Sequence, residues 1–78
     1  MDEIQRRLSK CFCTVFPMLR NAQLASIDTL PDWDSVAHLT LLAVIGEEFG
    51  VELDLEAFQE KTSFNSIETY LRNLLTHG

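Results

Sequence analysis

The chain has 78 residues, 46% of them hydrophobic and 23% charged, and its 6 Lys plus Arg against 12 Asp plus Glu leave a net charge of −6. That length holds a single domain over residues 1–78, and the apolar content is too high for intrinsic disorder. The acid excess excludes phosphate-backbone binding, which needs clustered Lys and Arg, and a polybasic hold on an anionic membrane. An electrostatic partner should be a protein with a basic patch.

In chain order, a first helix is expected over Asp2–Phe16, where Ile4, Leu8, Phe12 and Val15 recur at helical spacing. Asp2 and Glu3 suit the positive end of its dipole, and Pro17 disfavours helical geometry at Phe16. Cys11 and Cys13 are separated by one residue, which makes a mutual disulfide geometrically poor. No further cysteine completes a zinc quartet, so buried or half-buried thiols in a reducing compartment are expected. The connector from Pro17 to Asp34 carries Leu24, Ile27, Leu30 and Trp33, side chains that a solvated loop does not need. It is expected to pack across the helices.

Asp34 or Ser35 caps a second helix, which Gly50 ends. Leu41, Leu42, Ile45 and Phe49 form its core stripe. Val36, Leu39 and Ala43 lie at i, i+3 and i+7 on another face. Either connector residues such as Leu30 and Trp33 cover that face or a partner docks on it; Val36 and Ala43 read as docking residues, and Leu39 fits both descriptions. Val51–Asp54 alternates apolar and acidic residues as a linking segment, and Leu55–Lys61 suffices for about two turns with Leu55 and Phe58 inward. Asn65 or Ser66 caps a last helix, Glu68 stands at capping-box spacing from Asn65, and Ile67, Tyr70, Leu71 and Leu74 form its buried stripe. The expected fold is all-α, a small four-helix bundle of three long helices and one short. No charged-then-apolar leader opens the chain and no apolar run has membrane-spanning length. A soluble, cytoplasmic, monomeric protein is expected.

Three chemical motifs fail on inspection. Asp34, Ser35 and His38 can be drawn as acid, nucleophile and base on one helical turn, but no glycine-rich elbow surrounds Ser35 and acyl transfer also needs an oxyanion hole and a pocket. Asp28, Asp32 and Asp34 do not make a calcium loop, because Trp33 stands where its glycine belongs and Leu39 where its glutamate belongs. His38 and His77 have no thiolate or carboxylate at metal-ligand spacing, and His38 is expected at the edge of the core with a local hydrogen bond.

What remains is Asp34-Ser35-Val36 at the head of the two-striped helix. The run Asp32-Trp33-Asp34-Ser35-Val36-Ala37-His38-Leu39, then Leu41-Leu42, then Glu47-Glu48-Phe49-Gly50-Val51-Glu52-Leu53, resembles the acyl carrier protein family. It is similar to that family's Asp-Ser-Leu signature, second helix and Glu-Glu-Phe-Gly ending. The similarity spans the last two thirds of the chain in pattern, and the whole chain in length and helix order.

The resemblance implies a bundle of acyl-carrier type and a freestanding, non-enzymatic carrier. Ser35 is then the acceptor of a 4′-phosphopantetheine arm, transferred from coenzyme A by a phosphopantetheinyl transferase, whose thiol holds acyl groups as thioesters. It implies further that acyl-loading, condensing or acyl-transferring enzymes with basic patches dock on Asp34, Val36, Leu39, Ala43 and Glu47, with Glu52, Asp54 and Glu56 nearby. In freestanding carriers of this kind the chain can be sheltered between helices.

Four positions depart from the pattern. Val36 replaces the usual Leu, His38 is atypical, Thr40 stands where Glu is common, and Gly46 interrupts the acidic row while weakening the helix by up to about 1 kcal/mol. These departures point away from primary fatty acid synthesis and toward a specialised polyketide, lipid, aminoacyl or peptide pathway. An aminoacyl or peptidyl carrier, and a helical adaptor that binds partners without the arm, are the alternatives.

Overall fold

The computed structural model describes residues 2–77, with the side chain of His77 outside that description. It is all-helical among the described residues. Helices α1 (Glu3–Val15), α2 (Ser35–Phe49), α3 (Leu55–Gln59) and α4 (Phe64–His77) are joined by a long connector with one 3-10 turn at Ala22–Leu24. Three long helices and one short make a small helical bundle. No described helix is long and apolar enough to cross a membrane.

Local chemistry sets most helix ends. The Asp2 carboxylate accepts the Gln5 N–H and starts α1, and Asp34 accepts the Ala37 N–H at 2.9 Å and starts α2. Asp54 does the same for α3 through the Glu56 N–H. Gly50 ends α2 in the left-handed conformation, φ 64°, which a side chain would strain. The Val51 N–H then bonds back to the Gly46 carbonyl at 3.1 Å. A Cβ at Gly46 would meet the Val51 carbonyl oxygen at 3.1 Å, so that glycine weakens the helix but admits the returning chain.

The start of α4 differs from expectation. Ser63, not Asn65 or Ser66, is its cap: the Ser66 N–H donates to Ser63 Oγ and the Ser63 N–H donates to Ser66 Oγ, both at 3.1 Å. This is a reciprocal box with serine in the role usually held by Glu. Glu68 turns away to accept from Gln5 and Arg72.

The buried apolar side chains form one cluster, to which α1 gives Leu8, Cys11 and Phe12, α2 gives Leu41 and Ile45, α3 gives Phe58, and α4 gives Phe64, Ile67 and Leu71. The connector does enter the core, but not through all the expected residues. Trp33 is buried and Leu30 packs against the cluster, whereas Leu24 and Ile27 point outward and Phe16, Ala22 and Ala25 are inside. Two hydrogen bonds explain the inversion. The Ile27 N–H donates to the Thr62 carbonyl at 2.8 Å and the Phe64 N–H to the Ala25 carbonyl at 2.9 Å, around an isolated antiparallel bridge between Ser26 and Ser63.

Leu55 is likewise exposed, because α3 is a five-residue turn whose inward position is filled by Phe58. Cys13 is exposed too, two residues round the helix from buried Cys11. Burial pushes the Cys11 thiol up to about 11, so it stays protonated and packs as a small apolar group.

Ion pairs fasten the ends of the bundle. Arg7 donates from Nε to Glu48 at 2.9 Å and from its terminal nitrogen to the Glu48 carbonyl, and its guanidinium lies 4.7 Å over the Phe49 ring. Arg72 joins Asp2 of the α1 cap to Glu68 of α4. The Arg7 hydrogen bond holds the Glu48 carboxyl below its ordinary 4.5, and the Gln5 N–H followed by Arg72 holds Asp2 below 3.8.

Depressed folded values stabilise the native state above the ordinary carboxylate range, and that contribution is lost as pH falls through the folded values. The melting temperature is therefore expected to be flat above about pH 5 and to fall at lower pH. Thermal melts of Glu48→Gln should show a shallower acid limb. An unchanged limb would remove the Arg7–Glu48 pair from the account.

Candidate functional site

The site begins with Ser35 as the first residue of α2, behind its Asp34 cap. Asp34 uses one oxygen on the Ala37 N–H and its carbonyl on the His38 N–H at 2.9 Å. The N–H groups of Ser35 and Val36 are first-turn donors without an intrahelical acceptor, and with the helix dipole they favour an anion on Ser35, an effect that the neighbouring Asp34 carboxylate partly opposes. The Ser35 side chain is exposed beside them. A phosphodiester on this oxygen fits that setting.

Ser35, Asp34, His38 and Leu39 form one side of an open groove of about 360 Å³. The other side comes from distant parts of the chain: Ile27 of the connector, Gln59 at the end of α3, and Thr62 of the loop before α4. Those three residues carry no local sequence signal. The Ile27–Thr62 backbone hydrogen bond is what assembles that wall.

The remaining candidates sit along the outer face of α2. Val36 is 72% exposed and Leu39 50%, while Ala43 and Glu47 continue the same exposed stripe. Leu30 and Trp33 do not cover this face; Trp33 is 3% exposed and turns inward, stacking on His38, meeting Phe12 edge-on and Phe16 at a tilt. Thr40 bonds back to the Val36 carbonyl. The acidic row is reduced further, since Glu48 is drawn to Arg7 and Lys10 on α1, which leaves Glu47 as the outward charge at that end. Glu52, Asp54 and Glu56 are exposed around the start of α3.

His38 is buried, 8% exposed, with both ring nitrogens engaged. The Trp33 Nε1–H donates to Nδ1 at 3.0 Å, and Nε2 lies 2.8 Å from the Phe58 carbonyl oxygen. An indole N–H only donates and a carbonyl only accepts, so the ring is the neutral tautomer with its proton on Nε2. Asp34 caps, His38 bridges, and Ser35 faces solvent; the three do not form a relay. No protein-family model, no curated protein and no solved structure matches this chain.

Proposed function

We propose that the protein is a freestanding carrier of acyl-carrier type whose chemical handle is Ser35. The observation that carries this reading is the exposed Ser35 hydroxyl in the first turn of α2, on the lip of the 360 Å³ groove. The Asp-Ser-Val motif and the Glu-Glu-Phe-Gly ending of the same helix support it from the sequence.

Ser35 Oγ takes the phosphopantetheine half of coenzyme A on a phosphopantetheinyl transferase. Oγ gives its proton to a base of the transferase and bonds to the pantetheine-side phosphorus as the pyrophosphate P–O bond breaks, and adenosine 3′,5′-bisphosphate leaves. The arm then supplies a terminal thiol that holds acyl groups as thioesters. The free first-turn N–H groups of α2 steady the phosphodiester. Partner enzymes with basic patches meet Asp34, Val36, Leu39, Ala43 and Glu47. Charge at the rim of such an interface governs encounter, and the exposed apolar side chains govern release. The protein itself is non-catalytic. The thin acidic row and the presence of His38 support a specialised polyketide, lipid, aminoacyl or peptide pathway.

Incubation with coenzyme A and a promiscuous phosphopantetheinyl transferase should add one phosphopantetheine by intact mass. Ser35→Ala should abolish the gain completely while changing stability by no more than about 0.5 kcal/mol, as an exposed substitution. No gain, or a gain that survives Ser35→Ala, sinks the reading.

The exposed Val36 and Leu39 side chains also suit an adaptor without an arm. For a partner recovered by binding, Leu39→Asp should weaken the complex at least tenfold, about 1.4 kcal/mol. An adaptor would be indifferent to Ser35→Ala in the same titration, whereas a carrier delivering cargo would lose transfer.

A further inference from the structure

The groove beside Ser35 has an unusual floor. Of the residues that line it, His38 alone is buried, while Ile27, Leu39, Gln59 and Thr62 are exposed walls. Directly beneath, the His38 ring packs on Phe58 at 4.6 Å between centroids and on Trp33 at 5.9 Å. Trp33 in turn packs on Phe12 and Phe16 at 5.5 and 5.8 Å. The way from the groove to the apolar centre of the bundle is therefore filled by aromatic rings. Hydrogen bonds at both His38 nitrogens hold the uppermost ring in place. Displacing it would strand the buried Trp33 indole N–H, whose acceptor is His38 Nδ1.

The walls are mixed. Ile27 and Leu39 offer apolar surface, Gln59 and Thr62 offer hydrogen bonds, and the one charged lining group is the Asp34 carboxylate. At about 360 Å³ the space is at the small end of ligand pockets, which run from roughly 300 to 1,000 Å³. A carboxylate-tipped cargo would meet Asp34 with no lining cation to offset it.

Resting on the assignment of the arm to Ser35, we propose that this carrier is built for a short acyl group with a hydrogen-bonding tip and no negative charge. Such a group lies in the groove between Ile27, Leu39, Gln59 and Thr62. The His38–Trp33–Phe58 layer bars a long alkyl chain from the core.

The test loads the full chain from 3-hydroxybutyryl-, malonyl- and octanoyl-coenzyme A with a promiscuous transferase and confirms each product by intact mass. Amide and indole resonances are then compared with those of the bare-arm form. The single tryptophan gives a single indole signal, a direct reporter on the floor. The 3-hydroxybutyryl form should shift the Ile27 and Thr62 amide signals, the malonyl form should shift them less, and the octanoyl form should leave the Trp33 indole signal unmoved. An octanoyl chain that moves the indole signal overturns the proposal while leaving the Ser35 assignment intact. So does a 3-hydroxybutyryl form indistinguishable from the bare arm, or a malonyl form that shifts the groove as strongly. Failure of all three loadings overturns the Ser35 assignment and this proposal with it.

Discussion

Phe12→Ala should destabilise the bundle by about 3–5 kcal/mol, the range for truncating a fully buried aromatic ring. Phe12 is completely inaccessible and is the meeting point of three parts of the chain. Its ring lies 5.5 Å from Trp33, 6.3 Å from Phe16 and 5.1 Å from Phe64 between centroids, joining α1 to the connector and to α4. Alanine removes the transfer energy of the ring and leaves a cavity that rigid aromatic neighbours on three sides cannot collapse into. A domain of this length has a total stability of about 4–12 kcal/mol, so the loss is a large share of what holds it folded. Urea titration followed by the fluorescence of Trp33 measures the loss. A cost under about 1 kcal/mol would mean the neighbouring rings repack more freely than close-packed interiors allow.

His38→Ala is expected to cost about 1–3 kcal/mol through polarity alone, on top of the packing lost with the ring, and so for a different reason. The substitution leaves the Trp33 indole N–H buried without a partner, worth about 1–3 kcal/mol when stranded, while the Phe58 carbonyl keeps the Lys61 N–H at 3.0 Å. Glutamine offers an acceptor and a donor on one planar group, so His38→Gln should recover part of the loss. A double-mutant cycle of His38→Ala with Trp33→Phe isolates the shared hydrogen bond. Full additivity in that cycle would remove the Trp33–His38 bond from the energetics. Melting followed by circular dichroism gives the stabilities, and Trp33 emission reports whether the indole has become wet.

The two substitutions probe the same aromatic layer from opposite sides. Phe12 acts through volume and His38 through polarity. The layer both closes the apolar centre and supports the groove beside Ser35, so its stability and the choice of cargo are coupled in the proposed carrier. Variants in the layer that still fold should therefore be read for groove resonances as well as for stability.

Much of the architecture was readable along the chain. Asp34 is a cap, Gly50 is the stop, and Pro17 follows the end of α1, because each of these effects is decided within three or four residues, while Asp2, expected in the first turn, and Asp54, expected in a linking segment, prove to be caps as well. Periodicity likewise placed Leu8 and Phe12, Leu41 and Ile45, and Ile67 and Leu71 inside, and Val36 and Ala43 outside, while Leu39, left open between cover and docking, is exposed. It failed at Leu55 and at the α4 cap. In both places a short, irregular stretch lets one anchoring phenylalanine, Phe58 or Phe64, decide the phase.

By itself, then, the sequence determined four helices, their order, and an exposed serine at the head of the one with an apolar outer stripe. Helix ends depend on nearest-neighbour hydrogen bonds and faces on a 3.6-residue period, both written locally. Only the tertiary structure decided that Ala22 and Ala25 go inside while Leu24 and Ile27 go out. It alone set His38 as a bridge to Phe58, 20 residues away, and carried Ile27 and Thr62 to the groove beside Ser35. Those outcomes come from backbone pairing and ring packing between segments distant in sequence, where what fits is decided by the partner segment and not by the residue's own hydrophobicity.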